Sequence, residues 1–348
     1  MKTSLKILIV LLGAISFSCS SSDISTSTPL VNSTCTDGIQ NGTETGIDCG
    51  GDLCDSCPPT CNDGIKNGTE TDVDCGGDSC APCPDPLVSI PTTGYDAPTF
   101  YVGYNLIWSD EFDQEILLTD KWGFHLENGC PSLCGWGNGE LQYYTKKNHT
   151  FQDGNLIIST KNESSNGFDY FSSARIHTDD KFEFKYGRID IRAAMPSAVG
   201  TWVALWLLNK DYSILYPDAE WPSGGEIDIM EYVGHKKNEI LATAHFGNDI
   251  ASHQFISTFL KAPANDFDKT FHVFSLVWEE NKITWLLNNI PYKTFSTANT
   301  TNSKLPYPFN DEFYLVINTS VGGNLGTIPL VSEYPTFLIV DYIRIYQQ

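Results

Sequence analysis

Three acidic side chains within six residues, Glu226, Asp228 and Glu231, are the strongest candidates for chemistry in this sequence. They alternate with apolar residues in a stretch that otherwise has the composition of a β-strand. Because side chains of a strand alternate between its two faces, Glu226 and Asp228 share a face, whereas Glu231 should point the other way. One extra residue, a β-bulge at Met230 or its neighbour, would return Glu231 to the acidic face.

Two glutamates flanking an aspartate on one face suit the hydrolysis of a glycosidic bond. Retaining glycosidases use a nucleophile and an acid/base whose carboxyl groups lie about 5–5.5 Å apart. Positions four apart on a flat strand are about 13 Å apart at Cα, so we expect a bent strand in a concave sheet. Crowding raises the pKa of one carboxyl group, which can then act as the acid. The alternative is a solvated, acidic edge strand without chemistry.

The chain has 348 residues and a formal net charge of -22. This excess of acids argues against nucleic acid and anionic membrane surfaces as partners, and it fits a neutral substrate. We expect a monomer.

The N-terminus indicates export. A short basic segment and an apolar run are followed by Ser16, Phe17, Ser18 and Cys19 and then by serines. This order predicts a lipoprotein-type signal peptide over 1–18, with Cys19 lipidated as the anchor. The protein would then be an outer-membrane or cell-surface lipoprotein that meets the membrane only through its lipid. The alternative is an ordinary secretory signal and a secreted protein.

Residues 35–83 contain two copies of a cysteine-rich repeat at an offset of 26, after a Ser/Thr-rich tether over 19–34. Each copy is too small to bury a core, so we expect two disulfides per repeat, with the connectivity open. Zinc on the thiols, or calcium on the repeat carboxylates, is the alternative. A Pro-rich linker over 84–100 follows.

Residues 101–348 form the third region, which holds all eight tryptophans. Short alternating segments, among them 201–208, 226–232 and 339–346, recur there between Gly, Asn, Asp or Pro residues and without long helical periodicity, which predicts an all-β sandwich or barrel. Trp202 and Trp206 share parity and could offer flat platforms to sugar rings or belong to the core. Cys130 and Cys134 can close a small loop by a disulfide.

This region resembles glycoside hydrolase family 16, and within it the bacterial laminarinases. The resemblance includes the acidic stretch itself and several further segments in matching order: 108–113, 136–140, 153–158, 173–176, 186–192, 200–206 and 340–346. It implies a β-jelly roll of two antiparallel sheets with a concave cleft, and an endo-1,3-β-glucanase that retains anomeric configuration. Glu226 would be the nucleophile, Glu231 the acid/base and Asp228 the residue that orients the nucleophile. No cofactor would take part in catalysis.

Further residues follow from the same resemblance. The expected sugar contacts are Asn138, Arg175, Trp202, Trp206, Trp221 and His245. A structural calcium ion would be held by the backbone carbonyls of Glu111 and Gly154 and the side chain of Asp341.

Several functions remain open at this stage. The first is hydrolysis of β-1,3-glucan (laminarin), with mixed β-1,3/1,4-glucan as an additional substrate. The others are agarase-like hydrolysis of a galactan, glucan binding without catalysis, and adhesion through the repeats.

Overall fold

The computed structural model describes residues 35–57, 88–165, 167–212, 221–262, 264, 266–299 and 307–348, together with scattered positions between 61 and 80. The predicted signal peptide, tether and lipidation site Cys19 lie outside these residues and stay predictions. The chain divides into two compact units, 1–86 and 87–348.

The N-terminal unit is held together by disulfides. In the first repeat Cys35 bonds to Cys54 and Cys49 bonds to Cys57. In the second repeat Cys61 bonds to Cys80, and Cys75 is also disulfide-bonded. The disulfide prediction is therefore confirmed for the described cysteines, and zinc on these thiols is excluded.

The carboxylates of the repeats serve the backbone of their own turns. Asp48 accepts hydrogen bonds from the backbone N–H groups of Asp37 and Gly38, at 2.7 and 2.8 Å. Asp74 accepts from Gly64 in the same way in the second repeat. These bonds favour a structural role for the acids.

The C-terminal unit is a sandwich of two β-sheets, which confirms the all-β jelly-roll prediction. Its described strands are β1 (Asn105–Asp110), β2 (Gly123–His125), β3 (Gln142–Tyr144), β4 (His149–Gln152), β5 (Asn155–Ser165), β6 (Phe168–Ser173), β7 (Arg175–His177), β8 (Glu183–Phe184), β9 (Gly187–Ala194), β10 (Thr201–Asn209), β11 (Glu226–Val233), β12 (Glu239–Phe246), β13 (Gln254–Lys261), β14 (His272–Glu279), β15 (Lys282–Leu287), β16 (Ile290–Ser296), β17 (Phe313–Val321) and β18 (Thr336–Gln347). The described helices are short 3-10 turns at Cys134–Gly137, Ile250–Ser252, Thr297–Asn299 and Val331–Glu333. None of the described helices has the length and apolar character needed to cross a membrane.

One sheet carries the acidic strand in its middle. Its strand order is β13-β12-β11-β10-β17-β7-β2, with β8 beside β17. The other sheet has the order β16-β15-β14-β9-β18-β5-β6-β3, with β1 beside β18 and β4 beside β5. Neighbouring strands are antiparallel except β3 and β6. The main core lies between the sheets and includes Leu205 and Ile227 from one and Leu276 and Ile343 from the other.

Candidate active site

A β-bulge interrupts β11 between the second and third acids. On the β10 side, Leu205 pairs with Met230 and the next residue, Trp206, pairs with Asp228. Ile229 therefore has no partner on β10. The predicted bulge is confirmed, with Ile229, the neighbour of Met230, as the extra residue.

The bulge gathers the three acids on the outer face of the sheet. Ile229 and Met230 are consecutive, yet both are buried in the main core. Because two successive side chains point to the inner face, the alternation shifts by one position, and Glu231 returns to the face that holds Glu226 and Asp228. All three acids line one cavity of about 350 Å³.

The second sheet supports the bulge through Trp285 of β15, which is fully buried. Its indole Nε1 donates a hydrogen bond to the backbone carbonyl of Asp228, at 2.9 Å. A bulge disturbs the ladder hydrogen bonds, and a buried carbonyl needs a partner. Trp285 provides that partner at the middle acid.

The cavity also contains most of the predicted sugar contacts. Besides the acids, its lining includes five of the six predicted residues: Asn138, Arg175, Trp202, Trp206 and Trp221. The guanidinium carbon of Arg175 lies 4.6 Å from the ring centroid of Trp136 and 4.8 Å from that of Trp206. Arg175 Nε is buried and has no hydrogen-bond partner among the described residues.

Two of the predicted platforms also hold the catalytic candidates in place. The indole Nε1 of Trp202 donates to Glu231 at 3.0 Å, and that of Trp221 donates to Glu226 at 3.1 Å. Each outer acid therefore receives one neutral N–H donor that fixes its orientation.

The sixth predicted residue, His245, contacts the acids. Its Nε2 lies 3.2 Å from Asp228 Oδ2 and 3.9 Å from Glu226 Oε1. Its Nδ1 lies 2.9 Å from Nε2 of His253, and the ring of Trp221 lies beside both imidazoles. His245 is placed to donate a proton or an N–H to Asp228, which a sugar contact alone would not require.

Burial raises the pKa of all three acids. The pKa of Glu226 rises to about 7, through desolvation and then through repulsion by Asp228, while His245, Trp221 and Arg175 oppose the rise. Desolvation raises the pKa of Glu231 as well, and there both Asp228 and Glu226 add repulsion, while His245 and Trp202 oppose the rise. The pKa of Asp228 is raised by desolvation. Because Arg175 also opposes the rise at Glu226, and the second glutamate adds repulsion at Glu231, Glu226 should ionise before Glu231.

A fourth acid, the buried Glu140, lines the same cavity and was not identified as a site residue from the sequence. It accepts hydrogen bonds from Asn138, Gln142, Tyr144 and Ser320, at 2.7 to 3.2 Å. These four hydrogen bonds fix the position of Glu140, which in turn orients Asn138. Glu140 lies two residues after Asn138 in the segment 136–140, and this position is the sequence signal that could have identified it.

The remaining predicted residues lie apart from this cavity. Cys130 and Cys134 form the predicted disulfide. The proposed calcium ligands do not fit an ion as they stand, because the carboxylate of Asp341 pairs with Arg192. A divalent cation on that carboxylate would lie beside a guanidinium cation, which repulsion disfavours. We place no ion there, and calcium stays a prediction.

Comparison with known proteins agrees with this architecture. The sequence model of Glycosyl hydrolases family 16 matches residues 138–327, which include the three acids of β11 and most of the residues that line the cavity. The chain belongs to this family. This membership, together with relatives named as endo-1,3-beta-glucosidases, supports a glycosidase.

Two sequence relatives and one solved structure illustrate the similarity. Glucan endo-1,3-beta-glucosidase A1 of Niallia circulans is 40% identical over 267 residues, which cover 71% of this chain and 38% of the relative. Beta-glucanase of Rhodothermus marinus is 35% identical over 272 residues, covering 75% of this chain and 91% of the relative. The laminarinase catalytic domain of Thermotoga maritima MSB8 superimposes with a TM-score of 0.64 at 35% identity, covering 70% of this chain and 98% of that domain.

Proposed function

We propose that the protein is an exported, retaining endo-glycosidase that hydrolyses β-1,3-glucan, with mixed β-1,3/1,4-glucan as an additional substrate. The observation that carries this proposal is the bulged strand β11, which gathers Glu226, Asp228 and Glu231 in one cavity lined by indoles. Relatives named for β-1,3-glucan hydrolysis support the choice of substrate.

The charges around the acids support a division of roles. Glu226 is favoured as the ionised nucleophile because His245, Trp221 and Arg175 oppose the rise in its pKa, which reaches about 7. Glu231 is favoured as the protonated acid because burial and two neighbouring carboxyl groups raise its pKa to about 8, against the opposing effects of His245 and Trp202. Glu231 would protonate the leaving oxygen, and after Glu226 forms the glycosyl-enzyme the same carboxylate would activate water.

Asp228 lies between the two glutamates on β11 and would tune the pKa of each. Its repulsion raises the pKa of both glutamates, while its own carboxylate faces His245. A proton held on Asp228 would limit its repulsion of the ionised Glu226 before Glu226 becomes a neutral ester.

The acidic character of the cavity favours a neutral glucan over a sulfated galactan. Four indoles and four carboxylic acids contribute to its lining, and the acids would repel sulfate groups. Product analysis on laminarin, lichenan and agarose side by side tests the assignment. We expect oligosaccharides from laminarin first and lichenan second; release from agarose alone would contradict it.

We also propose that Cys19 anchors the protein to a membrane through lipid. The support is the signal-like sequence before it and the disulfides of the N-terminal unit, which form in oxidising compartments. Cys19→Ala should shift the protein from the membrane fraction to the soluble exported fraction. Continued membrane association of Cys19→Ala would refute the anchor.

A further inference from the structure

The loop between β12 and β13 places a second histidine, His253, beside the active site. Its Nε2 lies 2.9 Å from Nδ1 of His245, and the planes of the two imidazoles are inclined by only 23°. Nearly parallel planes suit a hydrogen bond here, because the N–H group and the lone pair of an imidazole lie in the plane of the ring. His245 contacts Asp228 through its other ring nitrogen. The three side chains therefore form a chain of polar contacts from the loop to the middle acid.

The sequence of this loop determines where His253 lies. Asp249 and Ser252 form a capping box on the 3-10 turn: the carboxylate of Asp249 accepts from the backbone N–H of Ser252 at 2.7 Å, and the hydroxyl group of Ser252 accepts from the backbone N–H of Asp249 at 3.1 Å. Gly247 has a φ of +151°, and a Cβ at this position would lie 2.8 Å from the carbonyl oxygen of Ser252 and 3.1 Å from Cα of His253. Glycine and the capping box together let the loop fold back on the end of β12, which brings His253 to His245.

His253 also packs against the hydrogen-bond donor of the candidate nucleophile. Its ring centroid lies 4.5 Å from that of Trp221, the indole that donates to Glu226. Burial and then the neighbouring His245 lower the pKa of His253, so its ring is uncharged at neutral pH. An uncharged imidazole offers one donor and one acceptor nitrogen.

The roles of the ring nitrogens follow from the protonation of Asp228. When Asp228 is ionised, Nε2 of His245 must carry the proton that faces it, so Nδ1 of His245 is an acceptor and His253 must donate. When Asp228 holds a proton, it can donate to Nε2, and Nδ1 of His245 then donates to His253. A neutral imidazole can be a donor or an acceptor at Nε2 by changing its tautomer, so His253 matches His245 in both states.

We propose that His253 is a positioning residue of the active site, which holds His245 in the orientation and the tautomer that face Asp228. The inference rests on the proposed function. Neither imidazole is among the described residues that line the cavity with the acids, so His253 acts through His245 and not on the sugar. Without this contact, Nδ1 of His245 loses its partner and the ring is free to turn away from Asp228 and Glu226.

Two substitutions separate this role from simple packing. His253→Leu fills the space without a hydrogen-bonding group, whereas the amide of His253→Gln can donate or accept at Nδ1 of His245. We expect His253→Leu to lower kcat/KM on laminarin about tenfold, mainly through kcat. The acidic limb should move to higher pH, because a displaced His245 lowers the pKa of Glu226 less effectively. His253→Gln should recover most of the rate.

His235→Leu is the matched control, because His235 is exposed in the turn between β11 and β12. It should leave the rate and the pH profile unchanged. Unchanged kinetics in His253→Leu would overturn the proposal, and so would a His253→Gln variant no more active than His253→Leu, since packing alone would then explain the loss.

A double-mutant cycle tests the route through His245. If His253 acts only through His245, adding His253→Leu to His245→Asn should change kcat/KM by less than about twofold. Losses that multiply would show that the two histidines act independently, which would overturn the proposal.

The ring nitrogens of His245 provide a test that needs no substrate. In long-range proton–nitrogen NMR spectra, the Nδ1 signal of His245 should move in His253→Leu and stay in place in His235→Leu. If it stays in place in both, His253 does not determine the state of His245 and the proposal is overturned. An unaltered protein that is inactive on laminarin would instead contradict the proposed function, which is a distinguishable result.

Discussion

The contact between His245 and Asp228 gives a prediction that can be worked out from the structure. Asp228 is buried, and its Oδ2 has no hydrogen-bond partner among the described residues apart from the contact with His245 Nε2 at 3.2 Å. Leaving a buried polar group without its partner costs about 1–3 kcal/mol. We expect His245→Asn to lose about 1–3 kcal/mol of transition-state stabilisation, a loss of about 5- to 160-fold in kcat/KM.

The pH profile should change in a defined direction. His245 lowers the pKa of Glu226, which is about 7 with the histidine in place. Without His245 the pKa of Glu226 rises, so a smaller fraction is ionised at neutral pH. Because a nucleophile must be ionised, the acidic limb of kcat/KM should move to higher pH, and alkali should recover part of the loss.

The assay is kcat/KM on laminarin or laminarihexaose from pH 4 to 10, with thermal melts to confirm folding. His235→Asn is the matched control, because His235 is exposed in the turn between β11 and β12. It should leave the profile unchanged. If His245→Asn keeps both the rate and the position of the acidic limb, our reasoning about the acids is refuted.

Three further predictions concern the elements that hold the site. Deleting Ile229 and inserting an alanine at the same point both give Glu226 and Glu231 equal parity, but the deletion leaves them four positions apart and the insertion six. Activity should therefore survive better after the deletion, and the opposite ranking in hydrolysis assays would contradict the bulge. Trp285→Phe removes the hydrogen bond to the backbone carbonyl of Asp228 and should lower the free energy of unfolding by about 1–3 kcal/mol in denaturant titrations. An unchanged midpoint would show that this hydrogen bond contributes no stability. Glu140→Gln should raise KM more than it lowers kcat, because Glu140 orients Asn138 in the cavity; a selective loss of kcat would instead place Glu140 in the chemistry.

Alternation of side chains was enough to predict much of the fold. Segments such as 201–208, 226–232 and 339–346 lie within β10, β11 and β18, because one face of each is apolar and packs between the sheets. Strand β13 was not predicted. Its apolar side chains point to both faces, Ile256 and Leu260 to the core and Phe255 and Phe259 outward, so its sequence lacks the alternation that marks a half-buried strand.

The active site was likewise predictable only in part. The parity of three acids in one strand was sufficient to predict a bulge and a shared face, because that information is local. The network of Glu140 was not predictable, since Ser320, one of its donors, lies 180 residues away in the chain. The contact of His245 with Asp228 likewise depends on the register of β12 against β11.

Trapping of the glycosyl-enzyme tests the central claim most directly. A 2-deoxy-2-fluoro-laminaribiosyl fluoride should inactivate the protein and leave a mass adduct on the peptide that contains β11. Fragmentation of that peptide should place the adduct on Glu226. An adduct on Glu231, on Asp228 or on another strand, or turnover of laminarin without any trapped intermediate, would contradict the assignment of Glu226 as the nucleophile.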